Sequence, residues 1–229
     1  MGRLGMSLSM DFQHLKGVLI DFDGTLVDTI PFLFKHYLSF LKTFGQEGSL
    51  EEFKTLMGPS LEEFVPILIE RYRLPEKKHA LISLYHHGLA DVYKREGKLI
   101  PGAREFLDFC QHKKIKMGLV TSSAYPLIAS CVEALEIKDY FAFIVTKENV
   151  KKTKPDPEIY LHALKTSSLL ADQVLAIEDS RAGILAALNA HIPTIAIRNP
   201  YLISIPSGAM TTDSWKDLTL CFEEAYARL

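Results

Sequence analysis

Short apolar segments typical of buried strands alternate with helical segments along most of this chain of 229 residues. The predicted strands are 17–20, 115–120, 141–146, 174–177 and 194–197. Apolar residues at helical spacing lie near 106–110, 127–135 and 159–164, and again up to about 190. Since parallel strands need crossover helices that cover both faces of their sheet, this order predicts an α/β fold with a doubly wound, Rossmann-like parallel sheet.

The region between the first two predicted strands has a helical pattern throughout. Apolar residues recur at helical spacing from Pro31 to Gly45 and again after the capping-box pattern of 49–52. The spacing is interrupted at Gly58, and a further helical pattern begins at Pro75. We therefore expect a helical domain inserted into the α/β core. The predicted parts are a flexible N-terminal tail at 1–15, a core at 16–30 and 98–229, and the inserted domain at 31–97.

The charge and the apolar patterning restrict the class of partner. The formal net charge is -2, so the chain has no broad basic surface for nucleic acid or an anionic membrane. No apolar run approaches the roughly 18 residues of a membrane span, and residues 1–14 lack the continuous apolar core of a signal peptide. The 3 cysteines lie far apart in apolar helical patterns, which is typical of reduced packing residues in cytosolic proteins. We expect a cytoplasmic monomer or weak homodimer whose partner is a small molecule.

Polar residues stand where the predicted strands end. Asp21 and Asp23 follow the first strand two residues apart, so their side chains leave the same face of an extended chain. The other residues of this kind are Thr121, Ser122, Glu178 and Asp179, and Lys154 precedes a helix. Because ligands of open α/β sheets gather beyond the carboxyl ends of the strands, these side chains should share one site. Clustered carboxylates suit Mg²⁺, whereas the hydroxyl and the ammonium suit a phosphate group.

Four motifs in this order resemble those of the haloacid dehalogenase superfamily. They are Asp21-Phe22-Asp23-Gly24-Thr25-Leu26-Val27-Asp28-Thr29, Leu119-Val120-Thr121-Ser122, Lys154-Pro155 and Ile177-Glu178-Asp179-Ser180. The resemblance begins at about Lys16 and covers nearly all of the remaining chain. It is closest to the phosphatase branch with a small helical cap of the first type, similar to phosphoglycolate phosphatases and β-phosphoglucomutase-like hydrolases. The resemblance implies that the inserted domain is this cap.

The resemblance also implies catalytic roles for two of the acids. Asp21 would be the nucleophile that forms an aspartyl-phosphate. Asp23 would protonate the leaving alcohol and then take a proton from the attacking water. Since a halide leaves without a proton, the acid at position 23 argues against dehalogenation.

The remaining matched residues would bind the metal and the phosphoryl group. The resemblance implies a Mg²⁺ held by the side chains of Asp21 and Asp179 and by the main-chain carbonyl of Asp23. The hydroxyl of Thr121, the amide of Ser122 and the ammonium of Lys154 would contact phosphoryl oxygens, so that Thr121 and Lys154 also take part in catalysis. Glu178 would act through metal-bound water or by supporting the metal ligands.

These roles together imply a Mg²⁺-dependent phosphatase of a small phosphorylated metabolite, phosphoglycolate-phosphatase-like. A phosphosugar mutase or a pyrophosphatase on the same fold is an alternative, and a non-catalytic phosphate-binding regulator is a more remote one. Mutases of the superfamily have a histidine shortly after the first motif and an arginine after the cap loop, where this chain has Leu33 and Leu61. The predicted lining of the substrate pocket is the cap loop Gly58, Pro59, Ser60 and Leu61.

Several polar residues have a simpler structural interpretation. Asp28 and Ser180 precede helical segments and are predicted to cap them. The histidines at 36, 86, 87 and 162 show no metal-ligand spacing, so we expect them on the surface or in side-chain packing.

Overall fold

A six-stranded parallel sheet forms the centre of the computed structural model, which describes residues 12–75 and 77–229. The strands are β1 (Gly17–Ile20), β2 (Lys116–Val120), β3 (Phe143–Val145), β4 (Val174–Glu178), β5 (Thr194–Ile197) and β6 (Met210–Thr212). Their order is β3-β2-β1-β4-β5-β6, and each neighbouring pair is parallel. This is the doubly wound Rossmann order, so the predicted fold class is confirmed. The first strand lies at the switch point between the two halves of the sheet.

The segment between β1 and the next part of the core is helical, as its pattern indicated. Its helices are α1 (Ile30–Lys42), α2 (Leu50–Leu56), α3 (Leu61–Tyr72), α4 (Lys78–His86) and α5 (Leu89–Glu96). Ser49 caps α2 by accepting a hydrogen bond from the Glu52 amide at 3.1 Å. The helix expected after Pro75 is two helices, because Gly88 adopts a left-handed conformation with φ 73° and ends the first of them.

Helices cover both faces of the sheet. They are α6 (Ala103–His112), α7 (Tyr125–Ala134), α8 (Glu158–Ser167), α9 (Arg181–Asn189) and α10 (Trp215–Tyr226). Side chains of β1 alternate between the two resulting cores. Val18 and Ile20 pack in the core that contains Phe106 and Trp215, whereas Leu19 packs in the core that contains Tyr160.

The chain enters and leaves the inserted helices through two segments that are bonded to each other. The Asp28 amide donates to the Lys98 carbonyl at 2.8 Å, and the Ile100 amide donates to the Leu26 carbonyl at 3.0 Å. Val27 and Leu99 form an antiparallel bridge between these bonds. The pairing also explains why the cap prediction for Asp28 is wrong: α1 begins one residue later, after Thr29, and Asp28 is exposed.

Other predictions differ from the structure at the ends of elements. The predicted strand 141–146 is shorter, because the Thr146 amide donates to Asn149 Oδ1 at 2.9 Å in a tight turn. Ser180 caps α9 as expected, accepting from the Gly183 amide at 3.0 Å. Residues 1–11 of the predicted tail lie outside the described residues. Phe12, also assigned to that tail, is buried and lies 5.0 Å edge-on from the ring of Phe222.

Two of the cysteines pack in the interior of the fold. Cys110 and Cys131 are buried, and within the described part of the chain all 3 cysteines are free. Among residues 12–75 and 77–229, every helix is too short or too polar to cross a bilayer.

Candidate active site

Three buried carboxylates meet beyond the carboxyl ends of β1 and β4. Asp21 follows β1, Glu178 ends β4, and Asp179 follows it. One carboxylate oxygen from each lies within 4.8 Å of the others. Burial raises the pKa of Asp179 well above its usual range, and repulsion from Asp21 and Glu178 adds to this shift. Three like-charged groups in so small a buried volume require a positive charge.

Lys154 supplies part of that charge. Its side chain is 1 % exposed, and Nζ lies 2.5 Å from Asp21 Oδ1, 2.6 Å from Glu178 Oε1 and 3.0 Å from the Val120 carbonyl oxygen. Burial alone would lower the pKa of Lys154, but the two carboxylates raise it above its ordinary value, so this lysine is a cation. Each of the three ammonium protons thus has an oxygen acceptor, and Lys154 bridges the ends of β1, β2 and β4.

Glu178 is fully buried. Its Oε1 accepts a hydrogen bond from the Tyr160 hydroxyl at 2.6 Å in addition to the Lys154 contact. A Cβ at Gly183 would lie 2.0 Å from Glu178 Oε2, so only glycine fits where α9 passes this carboxylate. Burial raises the pKa of Glu178 to about 7, and Asp21 contributes to the rise.

The loop that follows β1 holds the third carboxylate in place. Gly24 has φ 81°, and a Cβ there would lie 2.3 Å from Asp179 Oδ2. Thr25 Oγ1 donates to Asp179 Oδ1 at 3.1 Å, and Asn199 Nδ2 donates to Asp179 Oδ2 at 2.8 Å. The indole of Trp215 anchors the loop by donating to the Thr25 carbonyl at 2.8 Å. Asp179 is therefore oriented by two donors before any ligand binds.

This cluster fits a hard divalent cation such as Mg²⁺. All three of its side chains offer oxygen ligands, which Mg²⁺ prefers. A single ammonium leaves the three carboxylates with an excess of negative charge, which a divalent ion would neutralise. The side chain of Asp23 is not part of the cluster, so a role for this residue in metal binding would fall to its main-chain carbonyl, as the sequence analysis expected.

The side chain of Asp23 lies in a separate hydrogen-bonded environment. Its Oδ1 accepts from the Tyr93 hydroxyl at 2.7 Å, and its Oδ2 accepts from Ser123 Oγ at 2.6 Å, with Thr121 Oγ1 more distant at 3.5 Å. Burial is the largest effect on the pKa of Asp23 and raises it, and the nearby charge of Asp21 raises it as well. The hydrogen bonds from Ser123 and Tyr93 lower this pKa, but the net shift is upward. Two neighbouring acids of one motif thus have different surroundings, which is typical of acids with different roles.

A cavity of about 860 Å³, counting its open mouth, joins these groups. Asp21, Asp23 and Lys154 line one end of it, together with Thr121 and Ser122. The hydroxyl of Ser122 is buried and has no hydrogen-bond partner among the described residues, so it is available to a ligand oxygen. The four predicted residues of the cap loop, Gly58, Pro59, Ser60 and Leu61, also line the cavity.

The cap loop is in contact with the core. A Cβ at Gly58, which has φ 106°, would lie 2.5 Å from the Cβ of Ala182. The Ser60 amide donates to Thr153 Oγ1 at 3.2 Å, and Thr153 in turn donates to the Glu63 carboxylate. The inserted helices and the core thus close around one shared volume.

Several residues of the site had no signal in the sequence. Tyr93 and Asn199 contact Asp23 and Asp179 although neither belongs to a recognised motif. Ser123 directly follows Thr121 and Ser122, and its place in that polar run could have indicated it. His86 lines the cavity, whereas the sequence analysis expected a surface or packing residue.

Comparisons with known proteins bear on the family and the fold of the chain. Residues 18–197 match the family model described as "Haloacid dehalogenase-like hydrolase". A "Phosphorylated carbohydrates phosphatase" of Thermotoga maritima is 32% identical over 181 residues, covering 79% of this chain and 84% of the relative. "Phosphoglycolate phosphatase 1" of Pseudomonas aeruginosa is 26% identical over 218 residues, covering 91% of this chain and 80% of the relative. The crystal structure of β-phosphoglucomutase from Clostridium difficile has a similar fold, with a TM-score of 0.80 at 22% identity, over 93% of this chain and 98% of that one.

Proposed function

The chain belongs to the haloacid dehalogenase-like hydrolase family, and on that premise we propose that it is a Mg²⁺-dependent phosphatase that transfers a phosphoryl group from a small metabolite to Asp21 and then to water. The observation that carries the proposal is that two acids with different surroundings, Asp21 and Asp23, line one cavity. Asp21 is held by Lys154 at 2.5 Å within the acidic cluster, while Asp23 is held apart from it by hydroxyl groups. The names of the two relatives make phosphorylated carbohydrates and phosphoglycolate the first substrates to test.

The first half of the reaction forms a bond to Asp21. Its carboxylate oxygen attacks phosphorus, the bond from phosphorus to the leaving oxygen breaks, and Asp23 donates a proton to that oxygen. Lys154 keeps Asp21 oriented and offsets charge on the phosphoryl oxygens, and the free hydroxyl of Ser122 is available to one of them. The product of this half is an alcohol and a phosphorylated Asp21.

The second half restores the enzyme. Asp23, now ionised, takes a proton from water as the water oxygen attacks the phosphorus of phospho-Asp21. The bond to Asp21 breaks, and inorganic phosphate leaves. When bound by Asp21 and Asp179 beside Glu178, Mg²⁺ would supply the positive charge that offsets repulsion between an anionic nucleophile and an anionic substrate.

We assign the helices at 31–97 to a cap that closes over the substrate. Closure would exclude bulk water from the phosphorylated carboxylate. The cavity lined by both the cap loop and the core supports this assignment. Leu33 and Leu61 line that cavity at the places where a mutase of this superfamily would have a histidine and an arginine, so these two positions argue against the mutase alternative.

Removal of the metal tests the proposal directly. We expect the protein to release phosphate from p-nitrophenyl phosphate with Mg²⁺, to lose that activity in excess EDTA, and to regain it when Mg²⁺ is restored. Activity that persists in EDTA would contradict the metal requirement. Absence of turnover under all conditions, with phosphate binding retained, would instead favour a non-catalytic regulator.

Asp23→Asn tests the acid. We expect kcat/KM to fall by roughly 10²- to 10⁴-fold for an alkyl phosphate, because the leaving alkoxide then lacks a proton donor. The loss should be smaller for p-nitrophenyl phosphate, whose leaving group is stable as an anion. Asp91→Asn, at an exposed position on α5, is the matched control. Equal losses for the two substrates would argue that Asp23 does not protonate the leaving group.

Tyr93→Phe tests whether the cap tunes this acid. The Tyr93 hydrogen bond lowers the pKa of Asp23, so its removal should raise that pKa. Since the protonated acid is needed, the alkaline limb of the pH profile of kcat/KM should move to higher pH by the same amount. The ring contacts with Phe22 and Phe32 are retained in this variant. Tyr125→Phe, on the exposed side of α7, should leave the limb where it is.

A further inference from the structure

The cavity is apolar away from its phosphate end. Its walls there include Leu33, Phe53, Phe64, Tyr85, Leu89 and Leu127. The first five belong to the inserted helices and the last to α7 of the core, so both sides of the cavity present apolar groups. Such a lining favours a ligand body that buries hydrocarbon surface.

The cationic side chains that line the cavity are already paired with carboxylates of the protein. Among the described residues that line it, the basic ones are Lys147, Lys154 and His86. Lys154 is held by Asp21 and Glu178, and Lys147 forms an ion pair with Glu62 of α3. Burial lowers the pKa of His86, and the nearby Lys147 lowers it further, so the imidazole is neutral at neutral pH. Lys54 and Arg181 line a neighbouring cavity rather than this one.

The carboxylate of Glu62 also lines the cavity, although 41% of the side chain is exposed. One of its oxygens pairs with Lys147, and the other, Oε2, is buried and has no side-chain partner among the described residues. An unpaired carboxylate oxygen accepts a hydrogen bond from a hydroxyl group and repels a second carboxylate or phosphate. A second anionic group on a substrate would therefore have to compete with Glu62 for Lys147, and it would be repelled by this oxygen.

We propose that the enzyme selects phosphate monoesters with a neutral, largely apolar leaving group, and that Glu62 rejects substrates with a second anion by holding Lys147 and facing the cavity. This inference rests on the proposed phosphatase function. It makes phosphoglycolate a poor substrate, although a relative carries that name. Phosphate esters of neutral alcohols, including those with a hydroxyl that reaches Glu62, fit the same cavity.

A pair of substrates that differ only in charge tests the selection. Benzyl phosphate and its para-carboxylate have the same ring and the same leaving oxygen, and 2-phosphoglycolate is the third substrate. We expect kcat/KM for benzyl phosphate to exceed the other two by at least about tenfold, which corresponds to about 1.4 kcal/mol. Equal or better hydrolysis of either carboxylated substrate would overturn the inference and leave the phosphatase function intact. If none of the three substrates is hydrolysed and p-nitrophenyl phosphate is not hydrolysed either, both this inference and the phosphatase function are wrong.

Glu62→Gln tests the residue itself. This variant releases Lys147 and removes the negative charge, so the ratio of kcat/KM for the para-carboxylate to that for benzyl phosphate should rise by about tenfold. Glu70→Gln, on an exposed position of the same helix, should keep the ratio of the unchanged protein. Circular dichroism and the melting temperature check that both variants fold. An unchanged ratio in folded Glu62→Gln would show that Glu62 does not select against anions.

Discussion

An Asp21→Asn variant will release phosphate at least about 10⁴-fold more slowly than the unchanged protein, a small part of the acceleration of 10⁶ or more that enzymes commonly provide. The amide has no nucleophilic carboxylate oxygen, so the covalent step cannot occur. It also lacks the charge that pairs with Lys154 at 2.5 Å. The measurement is kcat for p-nitrophenyl phosphate at saturating Mg²⁺.

A second measurement separates loss of the nucleophile from a general disturbance of the site. Acid quenching during turnover should trap a phosphoryl group on Asp21 of the unchanged protein and none at that position in the variant. Asp28→Asn changes an exposed acid of the same motif and should retain nearly full activity. Residual activity within tenfold of the unchanged protein would mean that Asp21 is not the nucleophile.

Lys154→Met should be the most destabilising of the changes considered, in addition to abolishing activity. The lysine is 1 % exposed and contacts two carboxylates, which would be left buried without their cation. Removal of one partner from a buried ion pair typically costs about 3–5 kcal/mol of unfolding free energy. Denaturant unfolding in EDTA measures this loss. Addition of Mg²⁺ should recover part of it, since the ion would bind the same excess negative charge.

The cause of that loss is tested by a second change in the same network. Lys154→Met combined with Glu178→Gln removes one of the two uncompensated charges and should be more stable than Lys154→Met alone. Lys152→Met, at a lysine that is 72% exposed and pairs with Asp156 at 3.6 Å, should change stability by less than about 1 kcal/mol. If the double variant is no more stable than the single one, repulsion between the carboxylates is not the cause.

The parts of the site that lie at strand ends were predictable from sequence, and those that lie across the two domains were not. Asp21 and Asp179 follow from the rule that the carboxyl ends of parallel strands meet at one edge of the sheet. Lys154 precedes a helix, and its place beside them was predicted from the motif Lys154-Pro155. Tyr93 has helical spacing like any core aromatic, and it does pack on Phe22 and Phe32. Its hydroxyl reaches Asp23 only because α5 folds back over the core, a contact between residues 70 positions apart.

Ion pairs and the ends of helices were likewise not predictable from sequence where they depend on contacts between distant residues. Lys147 and Glu62 are 85 residues apart and lie in segments that look solvated, so their pairing across the cavity has no local signal. The cap of α1 was misplaced by one residue because local propensity does not include the pairing of 27–28 with 98–99. Both the ion pair and the start of α1 depend on contacts between residues far apart in sequence, which a local sequence pattern does not contain.

The two chain crossings between the α/β core and the inserted helices are hydrogen-bonded to each other, through Asp28 to Lys98 and Leu26 to Ile100. The two ends of the inserted part are therefore joined to each other by main-chain hydrogen bonds in this structure. The conformational entropy of bringing those ends together is lost once, during folding, and not again at each turnover. We expect the proposed closure of the inserted helices to be a rotation about this short pair of bonded segments.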